Sequence, residues 1–225
     1  MSNLKSYQEF VVDQETGEEL IANKYLYMPG RPREYRFNGQ NGQFNLYGER
    51  VLMDEKGKTL TSFSFQPVSF RIFDAMLFGR TNIESWAELF FIDKEGCVSA
   101  IMFNNTTVVE LFRLMEPLHY EKLSLCDVVI TARPERVTSK NDPTKTWFIC
   151  RFSYEIGPLS ITKELKEYAK DVPIYRAETI TPHSTIKIMS KPFERVLDNE
   201  AYQLYNGIVK PDDVIPVAQL AATNE

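Results

Sequence analysis

The chain has 225 residues, 43% of them hydrophobic and 25% charged, with a formal net charge of -5 at neutral pH. That length buries a sizeable core and that composition excludes bulk disorder. The acidic total argues against a general electrostatic binder of nucleic acid, and no apolar stretch approaches the roughly 18 residues that span a bilayer. The N-terminal stretch MSNLKSYQEFVVDQETGEEL has no apolar h-region, so a cytoplasmic protein is expected.

The charge is unevenly distributed. Residues 1–23 set Lys5 against Glu9, Asp13, Glu15, Glu18 and Glu19. Residues 24–50 reverse the sign, with Lys24, Arg31, Arg33, Arg36 and Arg50 against Glu34 and Glu49. Aromatics are interleaved there (Tyr25, Tyr27, Tyr35, Phe37, Phe44, Tyr47), and Asn38-Gly39 and Asn41-Gly42 signal turns. Residues 1–65 therefore read as an N-terminal arm and β appendage. Its aromatics either pack on the main domain or, with Arg31, Arg33, Tyr35 and Arg36, contact nucleic acid.

Residues 66–156 have a clearer rhythm. Strands are expected over 66–78, 86–93 and 97–104, with Asp93-Lys94-Glu95-Gly96 as a hairpin turn. The period then changes. Val108, Leu111, Phe112 and Met115 form a helical stripe, with Thr107 and Glu110 as a capping box and Pro117 as the stop. A fourth strand is expected over 123–133 and a fifth over 146–156. Between them lies a turn-rich loop with Arg133, Arg136, Lys140 and Lys145 against Glu135 and Asp142. Strand parity puts Phe148, Cys150, Phe152 and Tyr154 on one face of the fifth strand and Trp147, Ile149 and Arg151 on the other. The second faces of the first two strands carry Arg71 with Phe73, and Trp86 with Glu88 and Phe90.

Residues 157–225 turn helical in two places. One helix is marked by Ile161, Leu165 and Tyr168. The other is marked by Phe193, Val196, Leu197 and Leu204, opened by Ser190 with Pro192 in its first turn and closed by Gly207. The tail from 210 looks poorly ordered.

The order β-β-β-α-β-β over 66–156 resembles the OB-fold, a five-stranded partly open barrel. The expected class is mainly β (α+β): an OB-like five-stranded barrel with an N-terminal β appendage and a C-terminal helical extension over 157–225. In such a barrel the loops after strands one and four frame the ligand groove. Here these are Gly79-Arg80-Thr81-Asn82 and the basic loop. Aromatics beside cations in a groove are what single-strand binders use, by stacking on bases and neutralising phosphates. The stretches FQPVSFRIFDAMLFGR and WAELFFID, with the basic loop running into TWFICRF, resemble OB-fold single-stranded DNA-binding proteins of phage or mobile-element type. The resemblance implies protection or organisation of single-stranded DNA during replication or recombination, in a host cytoplasm if phage-encoded. RNA stays open as a ligand. The expected contacts are Arg71, Phe73, Arg80, Trp86, Arg133, Arg136, Lys140, Lys145, Trp147 and Arg151, joined by Arg31, Arg33, Tyr35 and Arg36. Asp212-Asp213-Val214-Ile215-Pro216 is similar to the bacterial tail that docks replication proteins, though it lacks a terminal Phe.

The alternative is a protein-interaction or structural module on the same barrel, decided by the charge of the groove. No glycine-rich phosphate loop, HExxH or GxSxG occurs, so no enzyme is expected. Cys97, Cys126 and Cys150 form no CxxC pair and His119 and His183 have no sequence neighbour of ligand type, so no metal or cofactor is expected.

Overall fold

A computed structural model of the chain describes residues 4–197. It is mainly β, in the α+β class. The strands, in chain order, begin with β1 (Gln8–Val12), β2 (Glu19–Asn23), β3 (Arg33–Asn38), β4 (Gln43–Leu46) and β5 (Arg50–Val51). They continue as β6 (Phe63–Phe65), β7 (Pro67–Ala75), β8 (Glu84–Ile92) and β9 (Val98–Asn104). Helix α1 (Thr106–Tyr120) leads to β10 (Val128–Thr138) and β11 (Thr146–Ile156). Helix α2 (Leu159–Asp171), β12 (Thr185–Met189) and α3 (Lys191–Leu197) complete the described residues. No helix among them is long and apolar enough to cross a membrane.

The β-β-β-α-β-β order is present as β7 to β11, but the strands form two sheets and no closed barrel. The larger sheet has the order β12-β7-β8-β9-β3-β4-β5, and the smaller β11-β10-β6. Sequence reading stopped the sheet at residue 66. In the structure β3, from the N-terminal segment, lies parallel to β9 with Tyr35 opposite Ile101. The chain from 63 to 75 is shared: β6 pairs with β10 and β7 with β8, so one nearly continuous strand ties the two sheets together.

Alternation explains why both faces of β7 and β8 are covered. Phe70, Ile72, Ala87, Leu89 and Phe91 point into the core with α1 and β10. Val68 and Phe90 point the other way, under α2 and α3. Phe73 and Trp86 form a third cluster with Ala75 and Leu77. Each such side chain contributes about 1.5–3 kcal/mol when fully buried.

Several local expectations are corrected. Thr107 does not cap α1; its Oγ1 accepts the backbone N–H of Cys150 at 3.3 Å, while Glu110 pairs with Arg113 and Arg151. Asn105, at φ 46, takes the N-cap position. Pro117 lies inside α1, which runs on to Tyr120. The residues expected to open the fourth strand instead make a 3-10 turn, Leu125–Asp127, capped by Ser124, and the strand starts at Val128. That strand continues to Thr138, so Arg133 and Arg136 are strand residues and the connecting loop is only 139–145. Ser190 does open α3, its Oγ accepting the Phe193 N–H at 3.4 Å. Leu204, Gly207 and the Asp212–Pro216 stretch lie outside the described residues.

Candidate functional site

Two turns of the same design stand beside the large sheet. Leu46-Tyr47-Gly48-Glu49 follows β4, and Leu77-Phe78-Gly79-Arg80 follows β7. In each, the last residue's N–H bonds back to the leucine carbonyl, at 3.2 and 3.1 Å. Both central residues have positive φ: 57 and 78 for Tyr47 and Gly48, 55 and 72 for Phe78 and Gly79. That is the pattern of a type I′ turn, and glycine adopts it freely. An aromatic side chain does not, since the left-handed region costs a residue with a Cβ about 1–2 kcal/mol. The outcome is that Tyr47 and Phe78 are thrown outward, 53% and 55% exposed. Backbone outliers of this kind cluster at functional sites.

These rings edge a groove of three adjoining hollows. The first, about 340 Å³, is walled by Glu34, Arg36, Phe78, Arg80, Trp86 and Arg176 among others. The second shares Glu34 and Arg176 with it and extends to Arg31 and Tyr47. The third shares Phe37 and Asn104 with the first and extends to Trp147 and Phe148 of β11. The floor is held by Trp86, whose Nε1 donates to the Ala75 carbonyl at 3.1 Å and whose ring meets Phe78 edge-on at 5.6 Å. The Arg80 guanidinium lies 5.2 Å from the Trp86 ring and that of Arg176 5.6 Å from Phe78.

The groove is mixed in charge. Arg36 pairs with Glu34, Arg80 with Glu84 at 2.5 Å, and Arg176 with Glu34 at 3.2 Å and with Glu178. Burial alone would push the Glu34 carboxyl up, but Arg36 and Arg176 outweigh it and hold it below the ordinary range. Burial likewise pushes the Glu84 carboxyl up, and Arg80 and Asn104 outweigh it, so Glu84 too is held below the ordinary range. Arg31 is exposed and forms no ion pair among the described residues. Among the described residues no cluster of three potential metal ligands occurs.

Six of the residues singled out from sequence meet at this groove: Arg31, Tyr35, Arg36, Arg80, Trp86 and Trp147. Tyr35 and Trp86 are buried, so only their edges reach it. Others are elsewhere. Arg71 is fully buried, bonded to Glu88 at 2.9 Å and to Thr179, with its guanidinium 4.0 Å from the Phe73 ring. Arg71 and Phe73 are thus a covered ion pair and its packing, not a platform, because Thr179 and Phe193 close over that face. Arg33 is held by Asp93 and Glu95 in the β8–β9 turn. Arg151 is held by Glu110 of α1 and Glu135 of β10. Arg133, Arg136, Lys140 and Lys145 are exposed along the β10–β11 hairpin and line none of the three hollows. Sequence reading missed Arg176 and the roles of Phe37, Tyr47 and Phe78. The repeated Leu-aromatic-Gly at a strand end was the available signal for two of them.

No protein-family model matches the chain, and no curated protein sequence or solved structure matches it.

Proposed function

We propose that the chain binds single-stranded nucleic acid along this groove, with bases stacking on Trp147, Phe37, Phe78 and Tyr47 and phosphates meeting Arg36, Arg80 and Arg31. The observation that carries the reading is the pair of strained turns that hold Phe78 and Tyr47 open beside arginines. An unpaired base offers a flat face to any of these rings, and such stacking tolerates every sequence. A duplex buries its base faces and gains nothing from them. The shared strand over 63–75 bends from one sheet to the other, and β3 with its turn fills the seam between β9 and β11, where the Gly39 carbonyl accepts the Phe148 N–H at 2.7 Å.

The test is fluorescence anisotropy of labelled oligo-dT, with a duplex of equal length beside it. Binding of the single strand that exceeds the duplex, with quenching of tryptophan emission, supports the groove. Trp147→Ala should weaken it by one stacking increment, about 1–3 kcal/mol. Equal affinity for duplex and single strand, or none for either at low salt, refutes it.

A further inference from the structure

The hairpin β1–β2 forms a two-stranded sheet of its own. Its base is fastened on both sides to α2. Tyr7 Oη donates to Asp171 at 2.8 Å, the Ser6 N–H donates to Glu167 at 3.0 Å, and Tyr25 Oη donates to Glu164. Beyond that base the arm is bare. Phe10 and Ile21 face each other across the strands at 56% and 44% exposure, with Val12 and Leu20 also exposed. A lone two-stranded hairpin is marginal in water, and one that keeps its apolar side chains in solvent calls for a covering surface.

Charge says what that surface is. Glu9, Asp13, Glu15, Glu18 and Glu19 ring the arm, and none of them forms an ion pair among the described residues. The β10–β11 hairpin is the complement: Arg133, Arg136 and Lys140 form no ion pair there, and Lys145 has only Asp142 at 3.5 Å. One chain therefore carries two ribbons of opposite sign whose exposed charges are mostly unpaired among the described residues. They are badly placed to meet within the same chain. The arm is fastened to α2, which starts three residues after β11 ends, whereas Arg136, Lys140 and Lys145 lie towards the other end of the hairpin, about 25–35 Å along it.

We propose that the β1–β2 arm docks on the β10–β11 hairpin of a second copy of this chain. A two-fold pair makes the contact twice, each arm on the other copy's hairpin. Phe10 and Ile21 cover the half-buried Val137, and the carboxylates meet Arg133, Arg136, Lys140 and Lys145. This explains a strongly cationic loop in an acidic chain without any nucleic acid, and does not rest on the groove.

Sedimentation equilibrium of the full chain tests it. At low salt the weight-average mass should rise with concentration from the 26.1 kDa of one chain towards twice that, and should fall back at high salt. Reversing the arm (Glu9→Lys, Glu18→Lys, Glu19→Lys) should leave a monomer. So should reversing the hairpin (Arg133→Glu, Lys140→Glu, Lys145→Glu). Mixing the two variants should restore the dimer, because both contacts of the mixed pair are again of opposite sign. All six positions are exposed, and melting temperatures near that of the native chain verify folding. A native chain that stays monomeric at low salt overturns the proposal. So does a dimer that survives either reversal, or reversed variants that stay monomeric when mixed.

Discussion

The salt dependence of binding distinguishes a strand in the groove from a strand on the basic hairpin. Three exposed arginines border the groove: Arg31, Arg36 and Arg80. For single strands, log affinity falls with log salt by about 0.7 per phosphate neutralised, so three contacts give a slope of about -2. Between about 50 and 200 mM salt that is roughly a 20-fold loss of affinity. If the four hairpin cations took phosphates as well, the slope would be about -5 and the loss about 1,000-fold. Anisotropy titrations at four salt concentrations resolve this difference. Arg36→Ala with Arg80→Ala should flatten the slope to about -0.7. It should also cost more affinity than two lost contacts, since Glu84 would then face the phosphates without its ion-pair partner and Glu34 with Arg176 alone. Lys140→Ala with Lys145→Ala should leave the slope unchanged. A native slope near -5 that drops with the lysine pair would refute the placement of the strand.

Three further outcomes follow from particular contacts. Gly42 has φ 74, and a Cβ there would come within 2.6 Å of the Phe148 ring, so Gly42→Ala meets both backbone strain and a clash. A loss of about 2–4 kcal/mol in urea unfolding is expected, and a melting temperature equal to that of the native chain would show that the turn is not locked against β11. Burial pushes the Cys126 thiol up to about 12 and raises Cys150 in the same way, while Cys97 is half-exposed, so an aromatic disulfide reagent should titrate one thiol in the native chain and three in denaturant. Fast reaction of all three without denaturant would contradict the burial of Cys126 and Cys150 in the core. Glu34 and Glu84 both titrate below the ordinary 4.5, so both stay ionised from pH 8 to 5 and affinity for oligo-dT should be flat across that range. Their folded values are depressed, so their stabilisation is fully present above about pH 4.5 and is lost as pH falls through the folded values. Binding should tighten only there, as protonation frees Arg36 and Arg80; a several-fold change between pH 8 and 5 would refute the pairing.

Much of the framework was legible because it is a matter of period. The alternation in VSFRIF and WAELFF marks β7 and β8, the three-four spacing of Val108, Leu111 and Met115 marks α1, and Gly96 closes the β8–β9 turn. These are interactions between near neighbours in the chain, which sequence carries directly. Parity also told which residues share a face. It could not tell what covers that face. Arg71 reads from sequence as a groove cation, yet Glu88 seventeen residues on and Thr179 more than a hundred residues on bury it. Arg33 and Arg151 were lost in the same way, to carboxylates in the β8–β9 turn and on α1 and β10. Helix caps failed where a distant group competed: Thr107 gives its hydroxyl to Cys150 on β11 instead of to its own helix. The groove itself depends on β3 lying beside β9, a parallel pairing between segments more than sixty residues apart, and on Arg176 arriving from beyond α2. Sequence alone determined the strands β7, β8, β9 and β11, the main helix and the segregation of charge, while β12 was missed in a segment expected to be helical and β10 was displaced. Tertiary structure alone decided which cations are buried and which line the groove, because that is fixed by long-range packing.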